Sequence, residues 1–396
     1  MAEQLPPIER LAISWQLSDT HGWGVFGLNL TLNLHRNGPL PPLLLTEPYI
    51  IDLPDEAIDE IRGYVGEQRQ LMGQVEARGE TIYSDQIAVL HALGARFQHV
   101  DVTDKVRGRV NVGFTFFERG AFDAEAIARA NAYDRILAGS SWNRDYARDA
   151  GVRDIEFVSQ GVDTDLFSPS PGTGAYKDRF AIFSGGKLEL RKGQDLVLAA
   201  FKIFHARHPD AILVTSWRNS WPESAMDVTA SIHVNAVPEV DENEELKITD
   251  WAVANGIPSN AFIDLGWLSN QIMPGVLRDM DAAVFPNRCE GGTNLVAMEA
   301  MATGVPCVLS ANTGHLDIMA IDNCYTLEDQ RVVTDESSPG AMWRESQVEE
   351  IVARLEEIYT DCEEAKRRAA AGVEFMRDLS WQNQTQRLVA SIEDLF

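Results

Sequence analysis

The sequence predicts an α/β protein of two domains, each built on a parallel β-sheet with helices on both faces. Short apolar segments alternate with helical segments along the chain, and this alternation is typical of parallel sheets. Residues 161–172 interrupt it with the composition of a linker, after which it begins again. A length of 396 residues also favours two hydrophobic cores over one. We expect domains at residues 1–168 and 169–379, and a last helix at 380–396 that returns to the first domain.

The predicted first domain begins with a strand at Leu11–Trp15, a glycine-punctuated loop and a helix that ends near Gly38. The apolar pattern then predicts five strands and three helices, at residues 42–46, 87–93, 110–117, 135–139 and 155–160 and at 55–76, 121–132 and 142–150.

Loops that follow the strands of an α/β domain face its ligand. His21 and Gly22 lie in the first such loop, and Glu118 directly follows the strand that contains GFTFF. We therefore treat these three residues as candidate ligand contacts. A solvent-facing side chain is the alternative for His21 and for Glu118.

The predicted second domain has strands at residues 180–184, 211–217, 231–237 and 261–265. Gly185, Gly186 and Lys187 follow the first of them, and Lys192 lies five residues further on. Glycines at a strand end let a ligand approach the backbone, and ammonium groups beside them suit a diphosphate. The order of residues is not that of a Walker A loop, and no GxGxxG pattern is present, so a dinucleotide site is not indicated.

The segment 282–310 predicts a strand, a glycine turn, a buried helix and another strand, which together are half of a nucleotide-binding unit. The helix, Leu295–Ala302, is apolar on every side except at Glu299. A buried carboxylate is costly unless partners satisfy it, so we expect a group that donates hydrogen bonds to Glu299. The alternative is an ordinary buried helix whose neighbouring backbone satisfies this side chain.

The turn before this helix runs Glu290, Gly291, Gly292, Thr293, Asn294. Its glycines permit close approach of a ligand, and either Thr293 or Asn294 can cap the helix. The free N–H groups and the dipole at a helix N-terminus favour an anion, so the turn is predicted to bind a phosphate group.

The composition limits the possible partners and the compartment. A net charge of −26 argues against non-specific binding to nucleic acid or to anionic membranes. The four cysteines show neither metal-ligand spacing nor a CxxC pair, which favours a reduced, cytoplasmic protein. We expect neither a signal peptide nor a transmembrane segment. Because no DxD pair or histidine cluster stands at a strand end, no metal is expected.

Three segments of the chain share their patterns with one known family. GGKLELRKG matches G-R-x-x-x-x-K-G, EGGTNLVAMEAMATGVPCV matches E-x7-E with a trailing E-A-M-A-x-G-x-P, and SQGVDTDLFSP matches G-V-D-x-x-x-F-x-P. In these segments the chain resembles the retaining glycosyltransferases of family 4 (the group 1 glycosyltransferases), which have the GT-B fold. The resemblance covers nearly all of the second domain, whereas the first domain is matched mainly by its layout.

The resemblance implies two Rossmann-like domains that face each other across a cleft, with the nucleotide sugar on the second and the acceptor on the first. It implies these donor-binding residues: Gly185, Gly186, Lys187, Lys192, Trp267, Leu268, Glu290, Gly291, Gly292, Thr293, Asn294, Leu295 and Glu299. The two lysines would hold the diphosphate and stabilise the leaving group. Glu290 would contact the transferred sugar, and Glu299 the ribose hydroxyls. Glu118 would act on the sugar or the acceptor, beside His21 and Gly22 on the acceptor side.

The chain departs from the family pattern at three places. Lys187 stands where the family has an arginine, so a point charge replaces a bidentate fork. Eight residues, not seven, separate Glu290 from Glu299, which predicts a one-residue bulge that still presents Glu290. The histidine that the family carries after T-x in its first domain is missing, since Thr115 is followed by two phenylalanines and Glu118.

The resemblance thus implies a metal-independent enzyme that moves a sugar from a nucleotide donor to an acceptor with retention of configuration. The donor, of UDP or GDP type, is a substrate, and no cofactor is expected. We expect a soluble saccharide, a small molecule or a protein as acceptor, and no nucleic acid partner. Two other interpretations stay open: a non-catalytic sugar-nucleotide-binding subunit, and another GT-B enzyme such as a nucleotide-sugar epimerase. The oligomeric state is open as well.

Overall fold

The computed structural model describes residues 6–100, 105–333 and 342–396. The chain divides into two units: Met1–Gly161 together with Leu379–Phe396, and Val162–Asp378. Each unit contains a six-stranded sheet in which every strand pairing is parallel, so the predicted α/β class is confirmed.

The sheet of the first unit has the strand order β2-β1-β3-β4-β5-β6. Its strands are β1 Arg10–Ile13, β2 Pro42–Leu44, β3 Ile82–Leu93, β4 Val106–Thr115, β5 Arg135–Ala138 and β6 Ile155–Phe157. Its helices are α1 Gly22–Asn37, α2 Asp55–Arg78, α3 Ala124–Ala130, α4 Ser141–Asp149 and the carboxy-terminal helix Trp381–Ala390. Apolar side chains fill both faces of the sheet, as covered parallel sheets require.

The carboxy-terminal helix belongs to the first unit, although the chain reaches it from the second. The Trp381 ring lies 5.8 Å from the ring of Phe26 in α1. Arg135 at the start of β5 forms ion pairs with Asp154 and Asp394, each at 2.8 Å. These contacts attach the last eighteen residues to the first sheet.

The sheet of the second unit has the strand order β12-β11-β10-β7-β8-β9. Its strands are β7 Phe180–Gly185, β8 Ala211–Ser216, β9 Phe262–Asp264, β10 Ala282–Phe285, β11 Cys307–Ser310 and β12 Tyr325–Leu327. A separate antiparallel pair is formed by β13 Gln330–Val332 and β14 Arg344–Ser346. Its helices are α5 Gln194–Arg207, α6 Pro222–Ala225, α7 Ile248–Ala254, α8 Met273–Leu277, α9 Leu295–Thr303, α10 Val348–Thr360 and α11 Cys362–Asp378.

Residues 162–168 lie with the second unit. The guanidinium group of Arg278, just after α8, donates hydrogen bonds to the carbonyl oxygens of Leu166 at 3.2 Å and Ser168 at 2.9 Å. Three side-chain hydrogen bonds from one arginine hold this segment against the second sheet.

The strand predicted at residues 231–237 is wrong. This segment has no regular structure, and Ile232 and Val237 are exposed. The backbone N–H groups of Asn235 and Ala236 donate to the side-chain oxygen of Asn255 rather than to a strand. The alternation of apolar residues therefore reflects a loop that follows the surface, in which only Val234 of the four apolar side chains is buried.

Candidate active site

The candidate site lies where two neighbouring strands of the second unit end. β7 and β10 pair in parallel, so their carboxyl ends lie at the same edge of the sheet. Residues 186–193 follow β7, and residues 286–294 follow β10. Ligands of α/β proteins bind at this edge.

Glu290 joins these two loops. Its Oε1 accepts a hydrogen bond from Nζ of Lys192 at 2.7 Å, and its Oε2 accepts one from Nη1 of Arg191 at 3.1 Å. The side-chain amide of Asn287 also donates to Oε1. Burial opposes ionisation of Glu290, but Lys192 and Arg191 outweigh it and hold the pKa of this carboxyl at about 2. Glu290 is therefore an anion, and it joins Lys192, which was predicted for the site, to Arg191, which was not.

Lys187 contacts a different carboxylate. Its Nζ lies 2.5 Å from Oε1 of Glu189 and 5.1 Å from the centre of the Trp221 ring. Arg191 stands between the two carboxylates, because its Nη2 donates to Oε2 of Glu189 at 3.1 Å while its Nη1 donates to Glu290. Five side chains thus alternate in charge, and we call them the charged row: Lys187, Glu189, Arg191, Glu290 and Lys192.

A buried arginine fixes the backbone beneath the charged row. Arg288 forms a bidentate pair with Asp195, at 2.8 and 2.7 Å, and contacts the carboxylate of Glu345 at 2.6 Å. Its Nη1 donates to the carbonyl oxygen of Leu190 at 2.6 Å, and its backbone N–H to that of Arg191 at 2.7 Å. Since Arg288 follows β10 and Leu190 follows β7, these contacts tie the two loops to each other.

The chain after β11 supports Glu290 from behind. The Glu290 N–H donates to Oγ1 of Thr313 at 2.8 Å, and the Gly314 N–H donates to the Glu290 carbonyl oxygen at 3.1 Å. A Cβ atom on Gly314 would overlap the carbonyl oxygen of Gly292. The close approach of these two backbone segments therefore requires a glycine at position 314.

Helix α9 begins directly after this turn, as predicted. Asn294, with a φ of 68°, is its N-cap, and its side chain accepts from the Ala297 N–H at 3.4 Å. The Asn294 amide also lies 3.0 Å from Nε2 of the buried His315. Burial lowers the pKa of His315 to about 4, so the imidazole is neutral and its Nε2 can accept a hydrogen bond from Asn294. The predicted residues Gly291, Gly292 and Thr293 are buried in the turn, and Leu295 starts the helix.

Glu299 is buried in α9 with 7% of its surface exposed. Its backbone carbonyl accepts a hydrogen bond from Thr303, but within residues 6–100, 105–333 and 342–396 no group donates to its carboxyl oxygens. Burial alone raises the pKa of Glu299 to about 8. The alternative in which neighbouring backbone satisfies this side chain is wrong for the described residues. The carboxyl group is mostly protonated at neutral pH, and its ionised form lacks a protein partner.

Glu299 lies on the side of α9 that adjoins the glycines after β7. Residues three and four apart on a helix share a face, so Glu299 lies with the half-buried Leu295 and Val296. A Cβ atom on Gly185 would come within 2.8 Å of Cγ1 of Val296, and that on Gly186 would have open space around it. The two glycines thus leave the start of α9 uncovered at this edge.

Trp267 and Leu268 are half-buried in the loop after β9. Strand β9 lies two strands from β7 in the sheet, so this loop flanks the charged row at the same edge. The Ser216 hydroxyl at the end of β8 donates to the Gly266 carbonyl oxygen at 2.7 Å and so fixes the start of the loop.

The sequence matches known glycosyltransferases around this site. Residues 269–388 match the model of a family described as Family 4 Glycosyltransferase in conflict systems. The GDP-mannose-dependent alpha-(1-6)-phosphatidylinositol monomannoside mannosyltransferase of Mycolicibacterium smegmatis is 25% identical over 216 residues, which are 51% of this chain and 48% of that protein. In residues 269–388 the chain is therefore similar to the glycosyltransferases of family 4. It spans about half the length of the curated relative that it matches.

Solved structures show that the chain has the GT-B fold. The sucrose-phosphate synthase of Thermosynechococcus elongatus superposes with a TM-score of 0.63 at 14% identity, covering 98% of this chain and 99% of that one. Anabaena HepE, solved with UDP and glucose, superposes with a TM-score of 0.65 at 13% identity, covering 98% of this chain and 100% of HepE. The trehalose-6-phosphate synthase OtsA gives 0.66 at 12% identity, also over 98% and 100%. At these identities the likeness concerns the fold alone.

The first unit holds the candidates His21, Gly22 and Glu118 past the ends of β1 and β4. His21 is the N-cap of α1, since its Nδ1 accepts a hydrogen bond from the Gly24 N–H at 3.1 Å. Burial lowers the pKa of His21, although the nearby Asp19 partly opposes this shift. Because the pKa is lowered, the ring stays neutral and its Nδ1 can accept a hydrogen bond. Gly22 is exposed and Glu118 is half-buried.

Sequence reasoning missed two residues that organise the candidate site, Arg191 and Arg288. Arg191 was passed over because the family pattern leaves its position variable. Arg288 carried a usable signal: it is a cation directly between the apolar strand β10 and a glycine turn, where a buried charge demands a partner. Its partner Asp195 is 93 residues earlier, and only the folded chain identifies it.

Two further observations concern the described part of the chain. Among the residues that the structure describes, no cluster of three or more His, Cys, Asp or Glu side chains could hold a metal ion. Over the same ranges, no helix combines the length and the apolar character needed to cross a bilayer.

Proposed function

We propose that the chain transfers a glycosyl group from a nucleotide-sugar donor to a hydroxyl group of an acceptor, with retention of configuration. The contact between Lys192 and Glu290 carries this proposal, because it joins the lysine segment and the glutamate segment of the family pattern at one sheet edge. The match of residues 269–388 to a family 4 glycosyltransferase model and the GT-B fold support the same conclusion.

In this proposal the charged row binds the diphosphate of the donor. Negative charge grows on the leaving phosphate oxygen as the glycosidic bond breaks, and preorganised cations stabilise it most at that moment. Lys187 and Lys192 would provide this stabilisation. Both lie on the loop after β7, and Lys192 is held by a hydrogen bond to a buried carboxylate, so its position is fixed before the donor arrives.

Glu299 would receive the ribose of the donor. Two vicinal hydroxyl groups can donate to one carboxylate, and they would supply the partners that the described residues do not. The N-terminus of α9, next to this glutamate, would add its N–H groups and dipole to the binding of an anion. Trp267 and Leu268 would flank the base, and Glu290 the transferred sugar.

The proposal extends to the nucleotide of the donor. Two solved structures of the same fold hold UDP or a UDP sugar: Anabaena HepE with UDP and glucose, and an E. coli protein with UDP-2-fluoro glucose. The mannosyltransferase of M. smegmatis is dependent on GDP-mannose. We therefore propose a UDP or GDP sugar as donor, and an acceptor bound by the first unit near His21 and Glu118.

Calorimetry and a product assay with the same set of UDP and GDP sugars test this function. We expect one donor to bind at micromolar to millimolar concentration and to be turned over, by slow hydrolysis or by transfer to an added saccharide. Exchange of Lys192 for alanine should strongly lower turnover while the circular dichroism spectrum stays the same. Tight binding without any turnover would favour the non-catalytic subunit instead, and binding of none of the donors would refute the proposal.

A further inference from the structure

The arginine of the family pattern is missing at position 187, but a guanidinium group is present four residues later. Arg191 lies on the short turn between Lys187 and Lys192, and only 14% of its side chain is exposed. A guanidinium fork binds two phosphate oxygens at once, whereas an ammonium group offers a single point charge. The chain thus has the chemistry of the missing residue on the same loop.

Arg191 is held in place by its backbone. Its carbonyl oxygen accepts from the N–H of Arg288 at 2.7 Å, and the preceding N–H, of Leu190, donates to Asp227 at 2.8 Å. Its side chain donates from Nη1 to the Cys289 carbonyl oxygen at 2.9 Å. Its contacts with the two carboxylates are longer, since Nη1 lies 3.1 Å from Glu290 and Nη2 lies 3.1 Å from Glu189. Charge-assisted hydrogen bonds are usually about 2.7–2.9 Å long, so these two contacts leave room for a better acceptor.

Glu189 occupies the position of an anion between two cations of the charged row. One of its oxygens lies 2.5 Å from Nζ of Lys187, and the other lies 3.1 Å from Nη2 of Arg191. A phosphate group that bridges two cations makes the same pair of contacts. With Glu189 in place, three cations face two carboxylates and the charged row carries one net positive charge. If Glu189 turned away, two positive charges would face the diphosphate of a nucleotide sugar, which carries two negative charges.

We propose that Arg191 makes the bidentate contact with the donor diphosphate that Lys187 cannot make, and that Glu189 fills this contact until the donor displaces it. The inference rests on the proposed function, because it assigns residues to the same donor site. It makes two predictions of opposite sign. Loss of the Arg191 fork weakens diphosphate binding, and loss of the Glu189 charge strengthens it.

Calorimetric titration of the full chain with UDP, GDP, inorganic pyrophosphate and the two nucleosides tests the inference. We expect Arg191→Lys to weaken the binding of the preferred nucleoside diphosphate and of pyrophosphate roughly ten- to hundredfold, with nucleoside binding unchanged. Adding Lys187→Arg to this variant should restore most of the loss, and Glu189→Gln should tighten diphosphate binding severalfold. Arg367→Lys, on an exposed face of α11 in the same unit, is the matched control and should bind like the wild type.

The outcomes separate this inference from the proposed function. If the wild type and Arg191→Lys bind a nucleoside diphosphate equally well, the inference is overturned but the proposed function is not. An equal loss for nucleoside and diphosphate has the same consequence, because that result indicates a merely structural arginine. A wild-type protein that binds none of the five probes overturns both the inference and the proposed function.

Discussion

Glu290 and Glu299 are both buried and lie nine residues apart in the chain, and yet the pKa values of their carboxyl groups are shifted in opposite directions. Two cations outweigh burial at Glu290 and hold its pKa at about 2, whereas burial acts alone on Glu299 and raises its pKa to about 8. One glutamate is thus a permanent anion that orders the charged row. The other is neutral until a ligand donates hydrogen bonds to it.

Glu299→Gln should make the free protein more stable, increasingly so as the pH rises from 5.5 to 8. Glu299 loses its proton near its usual pKa of 4.5 in the unfolded chain, but only near pH 8 in the folded protein. The free energy of unfolding of the wild type therefore decreases as the pH rises from 4.5 to 8. The difference between variant and wild type should grow by at most about 1.4 kcal/mol per pH unit. Urea unfolding at pH 5.5, 7 and 8 measures it.

The same variant should bind the donor less well, since a glutamine amide cannot become the anion that the ribose hydroxyls favour. The affinity of the wild type for its nucleoside diphosphate should rise towards pH 8, and that of the variant should not. Glu363→Gln, on an exposed face of α11, serves as the control and should follow the wild type. Stability differences that do not change with pH would show that Glu299 has no raised pKa.

The sequence alone was sufficient to predict much of the glutamate segment. A run of apolar residues between a strand and a glycine predicts α9, and the single glutamate within it indicates a carboxyl group that needs a hydrogen-bond partner. Both signals lie within a few residues of each other, so they can be found in the sequence. Local signals also located Lys192 and Glu290. They could not show that Glu290 joins Lys192 to Arg191, since this contact depends on the pairing of β7 with β10, about one hundred residues apart in the chain.

Lys192→Ala should lower kcat/KM for donor turnover about a hundredfold or more while the fold is retained. A hydrogen bond to a charged group contributes roughly 1.5–3 kcal/mol, and Lys192 makes one with Glu290 in addition to the contact proposed with the donor. Lys192→Arg keeps the charge and should retain part of the activity. Far-ultraviolet circular dichroism checks the fold, and a fully active alanine variant would rule out the diphosphate role.

Arg288→Met should destabilise the second unit by about 3–5 kcal/mol, because it leaves the carboxylate of Asp195 buried without its bidentate partner. The loop that carries the charged row would also lose the hydrogen bond to Leu190, so donor affinity should fall together with stability. Arg344→Met replaces an exposed arginine in β14 and should change stability by less than about 0.5 kcal/mol. Equal thermal midpoints of the two variants would contradict the structural role of Arg288.

The wrong strand at residues 231–237 and the contacts of the charged row that the sequence did not predict have the same physical origin. Alternating apolar residues predict a strand only if another strand supplies hydrogen bonds, and here the side chain of Asn255 supplies an acceptor instead. That acceptor is twenty residues further along the chain, beyond the reach of a local pattern. Sequence patterns therefore predicted the helices and strands whose apolar spacing matches their structure. They missed the contacts that these elements make with side chains distant in the chain.

Gly314→Ala should abolish donor binding although position 314 lies outside the predicted site. Its added methyl group would overlap the carbonyl oxygen of Gly292 and approach that of Glu290 to 2.9 Å, so the glutamate turn would have to move away from the charged row. Gly275→Ala is the matched control, because a Cβ atom there, in helix α8, meets no other atom within 4 Å. We expect that variant to keep the wild-type affinity and to gain up to about 1 kcal/mol of stability. Calorimetry with UDP and GDP compares the two, and unchanged affinity in Gly314→Ala would show that the turn after β10 tolerates displacement.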